Sequence, residues 1–295
     1  MGIAYLHHHI ITMKEDILIY KVGLKLYRKI ISAVDGSFHS ELAAHHAVAI
    51  ASSLGSKLVV VAVDTGEIER EVLSRAVERL SHHAGTYGIK AKGIVRKGEV
   101  VGTILDIIGE EQADLLVLAT RRGYHRMFAR SITQKLMLKA PIAVLAAKPA
   151  GVAKRGKSML LPVARDELTT DELINLTASL AKFYGYSVEV FRVVERQRWY
   201  NLPIEQIIAL RHRGEEKILP VAEALRELGI NADIRVVVAE SSISAIPKEA
   251  AIGRHSLALM GASQRGILKQ VVYGNPIERM LSSILCDVLI WRPRK

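Results

Sequence analysis

The sequence is poor in cysteine and lacks long apolar runs. Its 295 residues include a single cysteine, Cys286, which excludes an internal disulfide framework and fits a reducing cytoplasm. Cys286 opens an apolar run typical of a strand, so we expect a buried, inert thiol. No apolar run approaches the roughly 20 residues that a helix needs to cross a bilayer, and no membrane span is predicted. Residues 1–26 mix histidine, lysine and carboxylates with apolar residues, and we expect no signal peptide there.

The sequence also lacks a recognisable catalytic pattern. It has no P-loop lysine motif, no paired-carboxylate signature and no Ser-His-Asp set with supporting motifs. No metal-ligand cluster is evident, since the three consecutive histidines at residues 7–9 are followed by no further ligand at metal spacing. These absences favour a binding or regulatory protein over an enzyme.

Positive charge exceeds negative charge. The net charge of +11 and the isoelectric point near 9.7 indicate affinity for anions such as nucleotides, nucleic acid or an acidic membrane surface. The alternative is an ordinary basic surface without a specific partner. No helix-turn-helix, zinc-finger or aromatic RNA-binding signature accompanies the charge, so no specific nucleic-acid partner is predicted.

An internal repeat dominates what the sequence does contain. Residues 144–149 align with residues 288–293 without a gap, and Ser131 then aligns with Asn275. A repeat of this length predicts two domains of one fold, and the apolar fraction of 49% suffices for two buried cores. We therefore predict an N-terminal extension at 1–26, a first domain at 27–150 and a second at 151–295.

Both halves alternate short β-branched runs with longer helical patterns, which is typical of parallel βαβ units. The predicted fold is α/β, with two open, five-stranded, Rossmann-like parallel sheets in tandem. The predicted strands are 29–35, 57–64, 89–96, 115–119 and 142–147 in the first half, and 158–163, 187–194, 233–239, 257–261 and 288–291 in the second. Residues 195–202 are an insertion without a counterpart in the first half.

Three landmarks order this repeat: an Asp-Gly-Ser after the first strand, a small residue after the fourth, and a polar residue opening the last helix. Together they resemble the universal stress protein family in its tandem two-domain form, over roughly residues 27–293. The resemblance implies a nucleotide site in which Gly-x2-Gly-x9-Gly-Ser/Thr holds the phosphates of ATP and an aspartate faces the adenine. Ligands of open parallel sheets bind at the carboxyl ends of the strands, and glycines admit phosphate oxygens to backbone N–H groups.

The first half keeps the base end of that pattern. Asp35 stands at the adenine-facing position, and Gly98 matches the glycine after the third strand. Its phosphate loop departs from the pattern, because Ala119, Arg122 and Arg130 replace the glycines. Ser131 alone keeps the hydroxyl position. Further arginines make this loop strongly basic, so guanidinium groups are an alternative phosphate ligand. The other interpretation is a solvated basic loop without a ligand.

The second half keeps the phosphate end. Gly261 and Gly274 are thirteen residues apart, as the pattern requires, while Gln264 replaces the middle glycine. The first strand ends without the aspartate, for which Asp166 is a weak substitute. Neither half therefore has a complete site by the family pattern. The candidate nucleotide-binding residues are Asp35, Gly98, Ala119, Arg122, Ser131, Gly261, Arg265, Gly274 and Asn275.

The leading hypothesis is a non-enzymatic, cytoplasmic stress-response or regulatory protein with degenerate sites for ATP or a related adenine nucleotide, bound with Mg²⁺. The resemblance implies that residues 144–147 and 288–291 pair edge to edge in an internal pseudo-dimer, and that two chains form a homodimer. A protein partner of unknown identity is also expected. The alternatives are a nucleotide-handling enzyme of the adenine-nucleotide α-hydrolase-like group and a soluble regulator of a membrane transporter. The insertion at 196–200 is a lid, a partner contact or a packed loop.

Overall fold

The computed structural model describes residues 26–120, 131–150, 156–163, 170–262 and 276–294, with only the backbone at 276–278. The strands in these residues are β1 Lys29–Val34, β2 Lys57–Asp64, β3 Ala91–Lys97, β4 Leu115–Ala119, β5 Ala143–Lys148, β6 Ser158–Pro162, β7 Ser187–Glu195, β8 Ala232–Ala239, β9 Leu257–Gly261 and β10 Asp287–Arg292. The helices are α1 Phe38–Leu54, α2 Arg70–Thr86, α3 Val100–Glu111, α4 Ile132–Lys139, α5 Asp171–Tyr184, α6 Ile204–Glu227, α7 Ser242–Ile252 and α8 Pro276–Ser283. None of the helices in these ranges is long and apolar enough to cross a membrane.

Local chemistry explains where these elements begin and end. The inner strand β2 is a run of β-branched residues buried on both faces, as parallel sheets require. Helix α1 begins where Ser37 Oγ accepts a hydrogen bond from the backbone N–H of Ser40, and it ends at Gly55 in the left-handed conformation. Strand β1 ends one residue earlier than predicted. The reason is that Asp35 starts a turn in which its own Oδ1 accepts from the N–H of Ser37.

The strands form one ten-stranded sheet in the order β3-β2-β1-β4-β5-β10-β9-β6-β7-β8. Each half is a parallel five-stranded sheet, and the second repeats the order of the first in reverse. The halves meet where β5 and β10 pair antiparallel, with Val144 opposite Arg292 and Lys148 opposite Val288. The predicted α/β fold and the edge-to-edge internal pseudo-dimer are therefore confirmed, and this pairing covers two sheet edges that would otherwise be open.

The apolar cores are divided by sheet face and not by half. One core lies under α1, α2, α5 and α6, and the other lies under α3, α4, α7 and α8. Each face thus takes two helices from each half, and both cores continue across the seam between β5 and β10. Two cores suit the high apolar fraction, but both are shared by the two halves.

Two buried cations link the halves on the α4/α8 face. Lys148 Nζ donates hydrogen bonds to the carbonyl oxygens of Leu281, in the last turn of α8, and Ile284, just past it, at 2.6 and 2.9 Å. Its counterpart in the repeat, Arg292, donates to the carbonyl oxygens of Ala140 and Ile142, at 2.9 and 2.7 Å, just past α4. Each half therefore supplies a cation to the negative, carbonyl end of the other half's last helix.

Polar contacts also cross the seam on the α1/α5 face. Tyr27 O–H donates to Glu172 Oε1 at 2.7 Å, while Trp291 Nε1–H donates to Tyr27 Oη at 3.0 Å. On the same face, the Tyr184 hydroxyl lies 2.9 Å from Nδ1 of the buried His46. Burial and the nearby carboxylate of Asp287 raise the pKa of Tyr184, so its hydroxyl stays protonated. The seam is thus held by hydrogen bonds on both faces of the sheet.

Candidate functional site

The first half has a cavity of about 520 Å³ at the carboxyl ends of its strands. The chain runs from β1 outward to β3 and then returns to place β4 on the other side of β1. The strand order switches between β1 and β4, and open α/β sheets bind their ligands at such a point. The cavity lies there, and its volume is within the range of small-molecule sites.

Asp35 lies at this edge immediately after β1, and it lines the cavity. Its Oδ1 accepts the N–H of Ser37 at 3.1 Å, and its own N–H donates to Ser40 Oγ at 3.2 Å. The Asp-Gly-Ser sequence therefore builds a rigid turn that positions Asp35 at the N-terminus of α1. Gly36 makes this possible because it adopts a φ of 76°, in the left-handed region.

Ala119 and Ser131 line the opposite wall of the same cavity. Ser131 caps α4, because its Oγ accepts the N–H of Gln134 at 3.2 Å. Thr133 Oγ1 donates to the carbonyl oxygen of Ala119 at 3.2 Å, which ties α4 to the end of β4. The cavity thus faces the N-termini of α1 and α4, where backbone N–H groups favour an anion.

Gly98 lies at the end of β3, near the cavity but not among its lining residues. A β-carbon at this position would overlap Thr103 Oγ1, so glycine lets the chain pass close to α3. The next residue, Glu99, caps α3 by accepting the N–H of Gly102. Hydrogen bonds from the backbone of Gly102 and Val101 lower the pKa of Glu99. We assign Gly98 a backbone role beside the cavity.

The cavity also contains polar residues that the sequence motifs missed. His39 projects from the first turn of α1, while Thr65 and Glu67 follow β2, and Thr120 follows β4. These residues lie outside the family pattern. They could have been found from one rule, which is that residues following neighbouring parallel strands share an edge of the sheet.

In the second half, Gly261 is the structural equivalent of Ala119. Ala119 lies opposite Ala147 in the register of β4 and β5, and Gly261 lies opposite the repeat partner Trp291. Both residues are half-buried. The remaining predicted phosphate-site residues, Arg122, Arg265, Gly274 and Asn275, lie outside the described residues, as does Asp166.

The insertion of the second half forms a short 3₁₀ turn at Trp199–Asn201. Trp199 is half-buried and lines a groove of about 560 Å³ between α6 and the edge strand β8, together with Ile207 and Ile234. The neighbouring Tyr200 is 64% exposed. The groove follows the edge of the sheet, away from the carboxyl end of β9, where Gly261 lies.

A different cluster lies at the amino ends of the strands in the second half. Glu189, Glu249 and His255 bring three potential ligand atoms within 4.8 Å of one another. Burial, and next the charge of Glu189, raise the pKa of Glu249, while Arg235 opposes this shift. Sequence motifs gave no sign of the cluster, because Glu189 is separated from the other two residues by about sixty positions of sequence.

Comparison with known proteins gives a consistent result. The family model described as "Universal stress protein family" matches the chain twice, at residues 26–148 and at residues 157–292. A universal stress protein of Methanocaldococcus jannaschii is 26% identical over 159 residues, which are 47% of this chain and 94% of that protein.

Solved structures share the fold over both halves. A universal stress protein from Archaeoglobus fulgidus DSM 4304 has a TM-score of 0.61 at 14% identity, covering 92% of this chain and 97% of that one. A putative universal stress protein from Pseudomonas aeruginosa scores 0.62 at 18% identity, covering 91% and 94%. The cytoplasmic domain of a prokaryotic cation chloride cotransporter scores 0.63 at 12% identity, covering 90% and 95%. Likeness at these identities concerns the fold alone.

Proposed function

This chain belongs to the universal stress protein family, and on that premise we propose that it is a regulatory protein that binds an adenine nucleotide in its first half. The observation that carries the proposal is the cavity of about 520 Å³ at the strand-order switch, which gathers Asp35, Ala119 and Ser131. The base would lie near Asp35 and the phosphates near Ser131, with Mg²⁺ accompanying the phosphates.

Charge favours this orientation of the ligand. The phosphates would face the N-terminus of α4, whose N–H groups carry partial positive charge. In the sequence, Ser131 follows a segment that contains Arg121, Arg122, Arg126 and Arg130. Guanidinium groups bind phosphate oxygens through paired hydrogen bonds, so these arginines would replace the glycines of the family pattern.

We propose binding without turnover. His39 and Glu67 line the cavity as titratable groups, but neither makes a described hydrogen bond to a second polar side chain there. A general base normally needs such a partner for orientation. The ligand would then act as a switch that biases association with a partner, and the chain would act in the cytoplasm.

A matched pair of variants tests the proposal. Ala119→Arg and Gly261→Arg place the same side chain at equivalent, half-buried strand ends, one in each half. The full-length protein, freed of nucleotide, is titrated calorimetrically with ATP and Mg²⁺. We expect Ala119→Arg to weaken binding at least tenfold, about 1.4 kcal/mol, because arginine fills the cavity. Gly261→Arg should leave the affinity within about twofold of the original.

Aspartate variants test the base end. Asp35→Asn keeps an oxygen that accepts the Ser37 N–H but removes the charge, and we expect weaker binding with unchanged thermal stability. Asp64→Asn is the control, since Asp64 ends the neighbouring strand β2 and does not line the cavity.

Loss of binding only in Gly261→Arg would place the nucleotide in the second half. No binding by the unaltered protein would overturn the proposal, and ATP hydrolysis at a steady rate would favour the enzyme alternative.

A further inference from the structure

We infer that the second half binds a divalent cation of the zinc class through His255 Nε2 and the carboxylates of Glu189 and Glu249. This site is independent of the proposed nucleotide cavity. It lies at the amino ends of the strands, whereas the cavity lies at the carboxyl ends, and it occupies the other half of the molecule.

The fold brings the three residues together from separate elements. Glu189 is near the start of β7, His255 lies just before β9, and Glu249 is in the last turn of α7. Strand β6 lies between β7 and β9, with Met159 in register with both Val188 and Leu257. Because α7 runs antiparallel to the strands it covers, its C-terminal turn lies over their amino ends.

The three ligand atoms converge without satisfying one another. Nε2 of His255, Oε1 of Glu189 and Oε1 of Glu249 are buried and have no hydrogen-bond partner. His255 is 2% exposed and Glu249 is 4% exposed. The Nε2–Oε1 separation of His255 and Glu189 is 3.6 Å, too long for a hydrogen bond. Buried polar atoms are nearly always paired, so such a convergence indicates a bound ion.

The distances suit a metal better than direct contact. Zinc bonds of about 2.0–2.1 Å in tetrahedral geometry place neighbouring ligand atoms roughly 3.4 Å apart. The 3.6 Å separation is close to that value, and each of the three residues offers a ligand atom within 4.8 Å of those of the other two. Three protein ligands would leave a fourth position for water, which is a common zinc arrangement.

The surrounding residues orient the ligands. Ser158 Oγ lies 2.9 Å from Nδ1 of His255, so an Nδ1–H that donates to Ser158 leaves the lone pair of Nε2 directed at the cation. Arg235 Nε lies 2.9 Å from Oε2 of Glu249, which holds the other oxygen toward the cluster. A β-carbon at Gly253 would overlap the imidazole, so only glycine at 253 leaves His255 its place.

The ligand set selects the kind of cation. An imidazole nitrogen with two carboxylates is suited to Zn²⁺ and to neighbouring transition metals, whereas Ca²⁺ and Mg²⁺ prefer oxygen ligands only. Glu189 and Arg235 also line the groove between α6 and β8, which would serve as the entry route. The cation would arrive along this groove and reach Glu189, the most exposed ligand, first.

The test uses the full-length chain with His7, His8 and His9 each changed to alanine, so that the histidine tract contributes no binding. After treatment with a chelator, the protein is titrated with Zn²⁺ in competition with a chromophoric chelator, and with Co²⁺ while the visible absorption is recorded. We expect one ion per chain, Co²⁺ bands typical of four or five ligands, and a Zn²⁺-dependent rise in Tm.

Isosteric variants identify the ligands. Glu189→Gln and Glu249→Gln should each weaken Zn²⁺ binding at least tenfold and abolish the rise in Tm, while Glu240→Gln, an exposed control, should change neither. Glu249→Gln retains an oxygen that accepts from Arg235, so the variant should fold, and circular dichroism without metal checks this. Unchanged Zn²⁺ affinity in both variants, or no binding by the histidine-tract variant, would overturn the proposal and leave an ion pair between His255 and Glu189.

Discussion

The two halves of this molecule share equivalent buried cations at their seam and differ at the ends of their strands. At the seam, Lys148 and Arg292 occupy equivalent positions and each donates hydrogen bonds to carbonyl oxygens at the end of the other half's last helix. Away from the seam, the first half keeps a cavity at the carboxyl edge, and the second half has a carboxylate–histidine cluster at the amino edge. Pairing constrains the repeated strands, while each half is free to differ at its own sheet edges.

The largest expected effect comes from removing one of the two equivalent buried cations at the seam. Arg292 is fully buried, and Arg292→Met would leave the carbonyl oxygens of Ala140 and Ile142 without their donors. We expect a loss of about 3–5 kcal/mol in unfolding free energy, measured by urea denaturation. Lys148→Met should lower the unfolding free energy by about 2–4 kcal/mol, since Lys148 donates hydrogen bonds to two carbonyl oxygens, one in α8 and one just past it.

Lys57→Met is the matched control, because Lys57 is an exposed lysine at the start of β2. Its cost should stay below about 0.5 kcal/mol. Both seam variants should also unfold in a single transition, since the two cores cross the seam. A loss below about 1 kcal/mol for Arg292→Met would show that these buried hydrogen bonds contribute little to the union of the halves.

A smaller effect concerns an asymmetry within the seam. The equivalent positions hold Ala147 and Trp291, both fully buried, and only Trp291 donates to Tyr27. Trp291→Phe should lower the unfolding free energy by about 1–2 kcal/mol, through the lost N–H donor and the lost ring volume. Trp199→Phe, in the half-buried insertion, should cost less than about 1 kcal/mol.

Fluorescence gives a second readout, because the chain has only two tryptophans. The Trp199→Phe variant, which retains Trp291, should emit at a shorter wavelength than the Trp291→Phe variant, which retains the more exposed Trp199. Equal stability losses together with equal emission maxima would contradict the assigned difference in environment.

The smallest expected effect is a pH dependence of opposite sign at two carboxylates, one in each half. In the second half, burial raises the pKa of Glu172, against the lowering effect of its hydrogen bond from Tyr27. The folded state therefore binds this proton more tightly, and stability falls as pH rises through the raised pKa. In the first half, hydrogen bonds from Lys92 and Lys29 lower the pKa of Glu111, and stability falls as pH drops through the lowered pKa.

Removing each carboxylate should therefore change the pH profile in opposite directions. Between about pH 4.5 and pH 7, Glu172→Gln should gain stability relative to the unaltered protein as pH rises, whereas Glu111→Gln should lose relative stability as pH rises toward about 4.5 from below. Each change should stay below about 1 kcal/mol, as for most partly exposed side chains. Urea denaturation at several pH values measures both, and slopes of the same sign would contradict this assignment.

Much of the fold could be predicted from the repeat and from strand periodicity. The predicted ranges 57–64, 115–119 and 257–261 match the observed strands β2, β4 and β9, because apolar β-branched runs specify inner parallel strands. Strand ends were less predictable. They depend on turn hydrogen bonds such as that of Asp35, which a local pattern signals only weakly.

The candidate sites were predictable only in part. Asp35, Ala119 and Ser131 belong to a spaced motif, so the resemblance implies them from the sequence alone. His39, Thr65 and Thr120 belong to no motif, and only the shared edge of the sheet brings them to the cavity. The domain boundaries at 150 and 151 and the roles of Arg122, Arg265, Gly274 and Asn275 stay predictions.

The sequence by itself determined the family, the repeated α/β order and the two strands that join the halves. Periodicity and spacing carry the repeated order, because they depend on neighbours along the chain, whereas the pairing of the two strands was implied by the resemblance to the family. Only the tertiary structure decided that the cores divide by sheet face, that Lys148 and Arg292 bind each other's halves, and that Glu189, Glu249 and His255 converge. Those features arise from side chains that are distant in sequence, and their meeting depends on how helices pack across a sheet.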